Sequence, residues 1–201
     1  MALADWTLID KTLALQTRIF KVLLARYRMP RTGQESTFSV VDSPDWVNVV
    51  ALDKQENLIL IRQFRVGMAA FTIEVPGGMV DPGEQPRDTA ARELYEESGY
   101  RAERIIDLGF VEPNPAIFNN RAHMFLAEGC EHAGAQVLDE GEDIEVVPTP
   151  VVEVLRMLHS GQITHALVHV ALSRYELYAA GQLALDPTLF SSRADPRAST
   201  R

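Results

Sequence analysis

The chain reads as an α+β protein, a mixed α and β sandwich, and three observations carry that reading. Aliphatic and β-branched runs crowd the first 75 residues, one well-framed helix follows at 86–98, and the last third is helical in pattern. Strands come first and helices after.

Residues 6 to 28 hold two β-rich stretches, Trp6-Thr7-Leu8-Ile9 and Arg18 to Leu24, and Pro30-Arg31-Thr32-Gly33 breaks the chain after them. They make a strand arm. Three more runs follow as strands, at Thr37–Val41, Val47–Leu52 and Leu58–Arg65, with the polar turn Asp53-Lys54-Gln55-Glu56-Asn57 joining the last two. In the helix at 86–98, Pro86 suits a first position, Asp88 suits the first turn, and Gly99 stands where a left-handed stop is usual. Strand-like stretches return at Ile105–Val111 and His123–Ala127, ahead of an acidic loop at 139–145. Val151–His159 and Ala166–Ala179 form two further helices, separated by Ser160-Gly161, and the residues from 184 onward read as a frayed tail. No repeat interrupts this order. The division expected is an arm over 1–45, a main domain over 46–181 and a flexible tail over 182–201.

Charge and cysteine content narrow the function classes. Among 201 residues, 28 are Asp or Glu and 19 Lys or Arg, a formal net charge of −9, and 46% are hydrophobic, enough for a sizeable core. Disorder throughout is excluded. An acidic chain without a Lys/Arg run of five repels phosphate backbones, so nucleic acid is not an expected partner, and a phosphate ligand would need a cation between. Cys130 is the one cysteine, so no intramolecular disulfide forms, and a reducing cytoplasm is the expected compartment. The N-terminus lacks a signal-peptide pattern, and no apolar run approaches the roughly 18 residues of a membrane span, so no membrane association is expected.

A 100° step per residue along the helix gathers Glu93, Glu96 and Glu97 in one sector and sends Ala91, Leu94 and Ser98 the opposite way. Arg92 lies four before Glu96 and pairs with it, which leaves Glu93 and Glu97 as like charges at a spacing that costs about 0.2–0.5 kcal/mol. Two readings stand: a solvated acidic face, or a bound hard cation with oxygen ligands, for which magnesium is usual when phosphates complete the shell. Ahead of the helix, Glu74-Val75-Pro76-Gly77-Gly78-Met79-Val80-Asp81-Pro82-Gly83-Glu84 places three glycines within seven residues, a backbone shaped for close approach.

Gly78, five residues, Glu84, seven residues and then Arg92-Glu93-Leu94-Tyr95-Glu96-Glu97-Ser98-Gly99-Tyr100 resembles the signature box of the Nudix hydrolases. Every polar and glycine position is filled; only the final place, usually aliphatic, departs as Tyr100. The resemblance implies an α/β/α sandwich with a mixed sheet, and hydrolysis of a nucleoside diphosphate linked to another group, using magnesium or manganese. Carried over by position, Glu93 and Glu97 would be the main metal ligands, Glu96 would assist, and the Gly77 carbonyl would complete the set. Arg92 would orient the glutamates and Glu84 would support the loop, with Gly78 and Gly99 structural in the motif.

Similarity from about Trp6 to Ala180 extends to the ADP-ribose and nucleoside-diphosphate-sugar pyrophosphatase branch. It rests on Arg62-Gln63-Phe64-Arg65, on Glu74-Val75-Pro76-Gly77-Gly78, and on Pro115, fifteen residues past Tyr100. Arg65, Glu74 and Pro115 then fall on the substrate side; Arg65 suits a diphosphate or its sugar, or is an exposed strand-end arginine. Phe118 stacks on a base or packs in the core. In the acidic loop, Glu140 and Glu142 match a catalytic glutamate, with Glu142 placed first, against an acidic surface turn. Asn120 stands where the branch often has an acid, which leaves nucleotide sugars such as GDP-mannose open beside ADP-ribose. The resemblance also implies a homodimer through the strand arm. A non-catalytic Nudix module sensing such nucleotides, and a hydrolase of nucleoside triphosphates or dinucleoside polyphosphates, are the alternatives. His165 and His169, four apart without the following glutamate of a metalloprotease, are assigned to packing or to the surface.

Overall fold

The computed structural model describes residues 3–186; the expected tail therefore lies mostly outside the described residues, and 182–186 carry no regular structure. The described residues form two compact units, one of 3–44 with Glu112–Arg121, the other of Asp45–Val111 with 122–186.

The first unit is built on a three-stranded antiparallel sheet, β1 (Thr7–Gln16), β2 (Lys21–Arg28) and β3 (Glu35–Asp42), in that order. Both arm strands are longer than the sequence reading gave. β1 continues past Ile9 through Asp10-Lys11-Thr12 to Gln16, because pairing with β2 sustains the ladder across that polar stretch. Leu13, Leu15 and Phe38 lie exposed on this sheet.

The second unit carries a seven-stranded mixed sheet. Its path runs β10 (Ile144–Pro150), β5 (Asn57–Arg65), β4 (Trp46–Asp53), β9 (Ala122–His132) and β7 (Tyr100–Arg101), with β6 (Ala70–Glu74) on β5 and β8 (Arg104–Val111) on β9. β4 and β9 are parallel; the other pairs are antiparallel. The α+β reading holds. Sequence patterning missed β6, β7 and β10. β10 holds Pro148 and Pro150, residues that a central strand rejects and an edge strand accepts, and β10 is an edge.

Alternation along β4 splits the core in two. Val47, Val49 and Ala51 pack with Ala90 and Leu94 of α1 (Pro86–Ser98), while Val50, with Trp46 and Leu52, packs with Val154 and Leu158 of α2 (Val151–His159) and Val168 and Leu172 of α3 (Ala166–Ala179). One helix covers one face and two cover the other. Burying Leu94 fully is worth about 1.5–3 kcal/mol, and it fixes the side of α1 that faces the sheet. That side differs from the expected one by one position: Ala91 is exposed and Ala90 buried. All three helix boundaries match the sequence reading, since α1 has Pro86 at its start and Gly99 at its end with φ 75°. No helix among the described residues is long and apolar enough to cross a membrane.

Cys130 is 1% exposed at the edge of the α1-side core, and burial pushes its thiol up to about 12, with the Asp53 carboxylate adding to the effect. The native chain is therefore expected to resist Ellman's reagent at pH 8 and to react stoichiometrically once unfolded in guanidinium. Full-rate reaction without denaturant would contradict the burial.

Candidate active site

The glycine loop runs hydrogen-bonded alongside β4. The Pro76 and Gly78 carbonyls accept from the Val49 and Val47 amides of β4, so strand alternation turns the intervening Gly77 carbonyl away from that ladder. Glycine is required at 77, where a Cβ would strike the Val47 backbone carbonyl, and at 78 a Cβ would displace the Glu93 carboxylate. Gly99 serves differently, ending α1 in the left-handed region and packing against the Gly134 carbonyl, where a side chain has no room.

Arg92 gathers the helix carboxylates. Its Nε and Nη2 donate to the two Glu84 oxygens at 3.1 and 3.0 Å, and its Nη1 donates to Glu93 at 3.0 Å and to Glu96 at 2.8 Å. Glu93 is thus compensated, contrary to the sequence reading, because the guanidinium fork spans three carboxylates rather than one. Glu84 lies below the usual carboxylate range, held there by that guanidinium and by the Thr89 hydroxyl. The solvated-face reading fails at Glu97, which is 3% exposed and accepts the Gly77 N–H at 2.7 Å.

Burial pushes the Glu93 carboxyl up to about 7, against the pull of Arg92. Burial likewise pushes Glu97 well above its ordinary value, opposed by the Gly77 N–H and reinforced by the charges of Glu93 and Glu142. Two acids that resist carrying charge together, with an all-oxygen donor set and a carbonyl turned out beside them, fit a hard divalent cation. Among the described residues no three acidic, imidazole or thiol groups stand gathered as a ready-made cage, since Arg92 holds Glu93 and Glu96 to itself.

The loop after β9 is moored to the end of α1. Gln136 Nε2 donates to the Glu97 carbonyl at 2.6 Å and to the Ile144 carbonyl at 3.1 Å, and the Val137 amide donates to the Glu96 carbonyl at 2.9 Å. This places Glu142 where its charge acts on Glu93, Glu97 and Arg65; Glu140 does not figure among their principal charge interactions. The expected acidic loop is shorter than 139–145, because Glu145 belongs to β10 and lies 3.3 Å from Arg62.

On the α2 and α3 side of the sheet lies a cleft of about 720 Å³, with Gly77 and Gly78 in its wall. Arg65 reaches it from β5 and is held by Glu74 of β6 through two bonds of 2.7 Å; Thr72 donates to the same carboxylate at 2.6 Å. Burial opposes ionisation of Glu74, but the Arg65 and Thr72 bonds hold it below its ordinary value. Asn48 and His165 also line this cleft, and sequence reasoning missed both. A signal existed for Asn48, a polar residue inside Val47-Asn48-Val49-Val50; His165 showed none beyond its spacing from His169, whose Nε2 faces the Ile163 carbonyl at 2.5 Å. Pro115 and Phe118 belong to the other unit, where they line a hollow of about 290 Å³ with Tyr27 and Asn120.

A model of the NUDIX domain matches residues 43–167. An ADP-ribose pyrophosphatase of Bacillus subtilis is 30% identical over 151 residues, which is 75% of this chain and 82% of the relative. An ADP-sugar pyrophosphatase of Mus musculus is 29% identical over 166 residues, 74% of this chain and 76% of the relative. A solved structure described as an ADP compounds hydrolase superposes with a TM-score of 0.80 at 24% identity, over 90% of this chain and 98% of that one, which establishes a shared fold. With the complete box arranged around Arg92, and relatives of this kind over most of its length, the chain belongs to the Nudix hydrolase family, on the branch that holds the ADP-ribose pyrophosphatases.

Proposed function

We propose that this chain hydrolyses the diphosphate bridge of ADP-ribose or a nucleoside-diphosphate sugar, releasing a nucleoside monophosphate and a sugar phosphate, with magnesium or manganese as cofactor. The observation that carries this reading is the burial of Glu97, with half-buried Glu93 beside it, against a glycine loop whose other side opens on a cleft holding Arg65. The names of the sequence relatives support ADP-linked substrates.

Glu93, Glu97, Glu96 and the Gly77 carbonyl would hold the cation, which supplies polarisation of the phosphates and acidification of a bound water. The chain's own residues do the rest. Arg92 keeps the glutamates in one orientation through four bonds. Glu142 takes the proton of the attacking water, being the loop carboxylate whose charge reaches the ligand pair. Arg65 uses two of its five N–H groups on Glu74 and turns the rest to the diphosphate, a geometry that guanidinium suits. Water adds across the bridge: its oxygen bonds to one phosphorus as that phosphorus releases the bridging oxygen.

The arm over residues 1–45 is proposed to make the chain a homodimer. Leu13, Leu15 and Phe38 lie exposed on a small sheet whose outer strand β1 pairs, among the described residues, only with β2.

Incubation with magnesium and a panel of ADP-ribose, nucleotide sugars, triphosphates and dinucleoside polyphosphates should give monophosphate release from the first two classes; binding without turnover would mark a sensor module. Glu97→Gln should lower kcat by more than about 100-fold, beyond the roughly 10–100-fold of an outer-sphere change, and near-normal rates would remove Glu97 from the ligand set. Light scattering should give twice the mass of the chain, falling to one chain in the Leu13→Lys, Leu15→Lys double variant; an intact chain that is monomeric at micromolar concentration refutes the arm's role.

A further inference from the structure

The acidic loop between β9 and β10 enters along the end of α1 and leaves at Ile144, the first residue of β10. Its entry is stitched to the helix at successive points. The Ala133 amide donates to the Gly99 carbonyl at 2.8 Å, Gln136 Nε2 to the Glu97 carbonyl at 2.6 Å, and the Val137 amide to the Glu96 carbonyl at 2.9 Å. Glu96 and Glu97 lie in the last turn of α1, whose carbonyls have no donors within the helix, and that turn holds no basic residue. The loop supplies the donors instead.

Gln136 differs from the other two in also reaching the exit. Its Nε2 donates to the Ile144 carbonyl at 3.1 Å, so one half-buried side chain ties the end of α1 to both ends of the loop. A primary amide suits this place, because one nitrogen carries two N–H groups and both acceptors are main-chain carbonyls. A carboxylate would set acceptors against acceptors, and a hydrocarbon would leave both carbonyls unmet. Within the clipped span the Asp139 amide donates to the Glu142 carboxylate at 2.9 Å, and the Glu142 amide donates to the Asp139 carbonyl at 3.0 Å. Glu142 is thus folded back on its own turn, and the neck sets where that turn stands relative to the helix. From there its charge acts on Glu93 and Glu97.

We infer that Gln136 is a positioning residue: it clips the neck of the acidic loop to α1 and so holds Glu142 at a fixed place beside Glu93 and Glu97. It acts through Glu142 and not on the substrate. The inference rests on the pyrophosphatase reading, in which Glu142 takes the proton of the attacking water, and adds the group that delivers it. The helix that carries the proposed ligands and the loop that carries the base then move as one body.

The test uses Gln136→Met, which keeps the length of the side chain and removes its N–H groups. With magnesium and the substrate that the unaltered chain hydrolyses fastest, kcat should fall about 10-fold, the effect of two net hydrogen bonds, with KM within about twofold. In a Glu142→Gln chain, which lacks the base, the same change should cost less than about twofold, because nothing remains to be positioned. Amide exchange followed by mass spectrometry in EDTA reads the clip without turnover: peptides over 137–143 should exchange about 10-fold faster, while those from the middle of α1 and from β9 keep their rates. Gln136→Glu, nearly the same shape with an acceptor in place of the donor, is the second variant should Met disturb folding, and the same pattern is expected. The inference is overturned if loop exchange is unchanged, if the loss of kcat repeats in full in the Glu142→Gln chain, or if Glu142→Gln alone hydrolyses at a near-normal rate. An unaltered chain that releases no monophosphate sinks the pyrophosphatase reading alone, since the exchange rates then still decide whether Gln136 holds the loop.

Discussion

Everything around the candidate site depends on how four glutamates are held together without flying apart. Glu84, Glu93 and Glu96 converge on the single guanidinium of Arg92, and Glu97 withdraws from it into the protein, where the Gly77 amide is its hydrogen-bond donor. Desolvation makes each charge more expensive than it would be in water, so the cluster is tolerable only with Arg92 in place and is still short of positive charge. Replacing Arg92 by Lys would keep the charge and lose the fork, because a point charge cannot serve three carboxylates in different directions. The net acidity of the chain thus has a local form. Part of it is concentrated on one helix face, where the proposed cation would sit.

The sheet turns this cluster into a site with two sides. β4 sends Val47 and Val49 toward α1 and Asn48 and Val50 toward the opposite face, so one strand touches both the carboxylate helix and the cleft. Gly77 and Gly78 pass between these sides, bonded to β4 and thin enough for Glu93 to press against them. The carboxylate helix and the cleft thus share the glycine loop as a common wall.

Much of this was legible in the residues. The helix boundaries at 86–98, 151–159 and 166–179 follow from proline, glycine and apolar spacing, and the box of glutamates was visible because carboxylates at three- and four-residue spacing on one helix lack any packing role. What escaped was decided by tertiary contact. β6 is a five-residue strand fixed by pairing with β5, and β10 is a proline-bearing edge, so neither carries a strong local pattern. The burial of Glu97 escaped because helical spacing gives direction on the helix and not what lies opposite, here the glycine loop. His165 was set aside for the same reason: the acid nearest its ring, Glu74 of β6, lies 91 residues earlier. The arm's two strands were found, while their lengths were set by mutual pairing.

The mooring of the loop by Gln136 and Val137 makes the segment before β10 a tether of fixed length. One end is pinned to the carbonyls of Glu96 and Glu97, the other to the strand that starts at Ile144. A residue reaches at most about 3.6 Å of extended chain, so Glu142, two residues from the strand, lies within about 7 Å of it, and Glu140, three residues from Val137, within about 11 Å of that mooring. The tether gives the two acids unequal latitude, the narrower to Glu142. Two residues inserted between Glu142 and the strand would reverse that order, since Glu142 would then lie within about 14 Å of the strand and Glu140 still within about 11 Å of Val137.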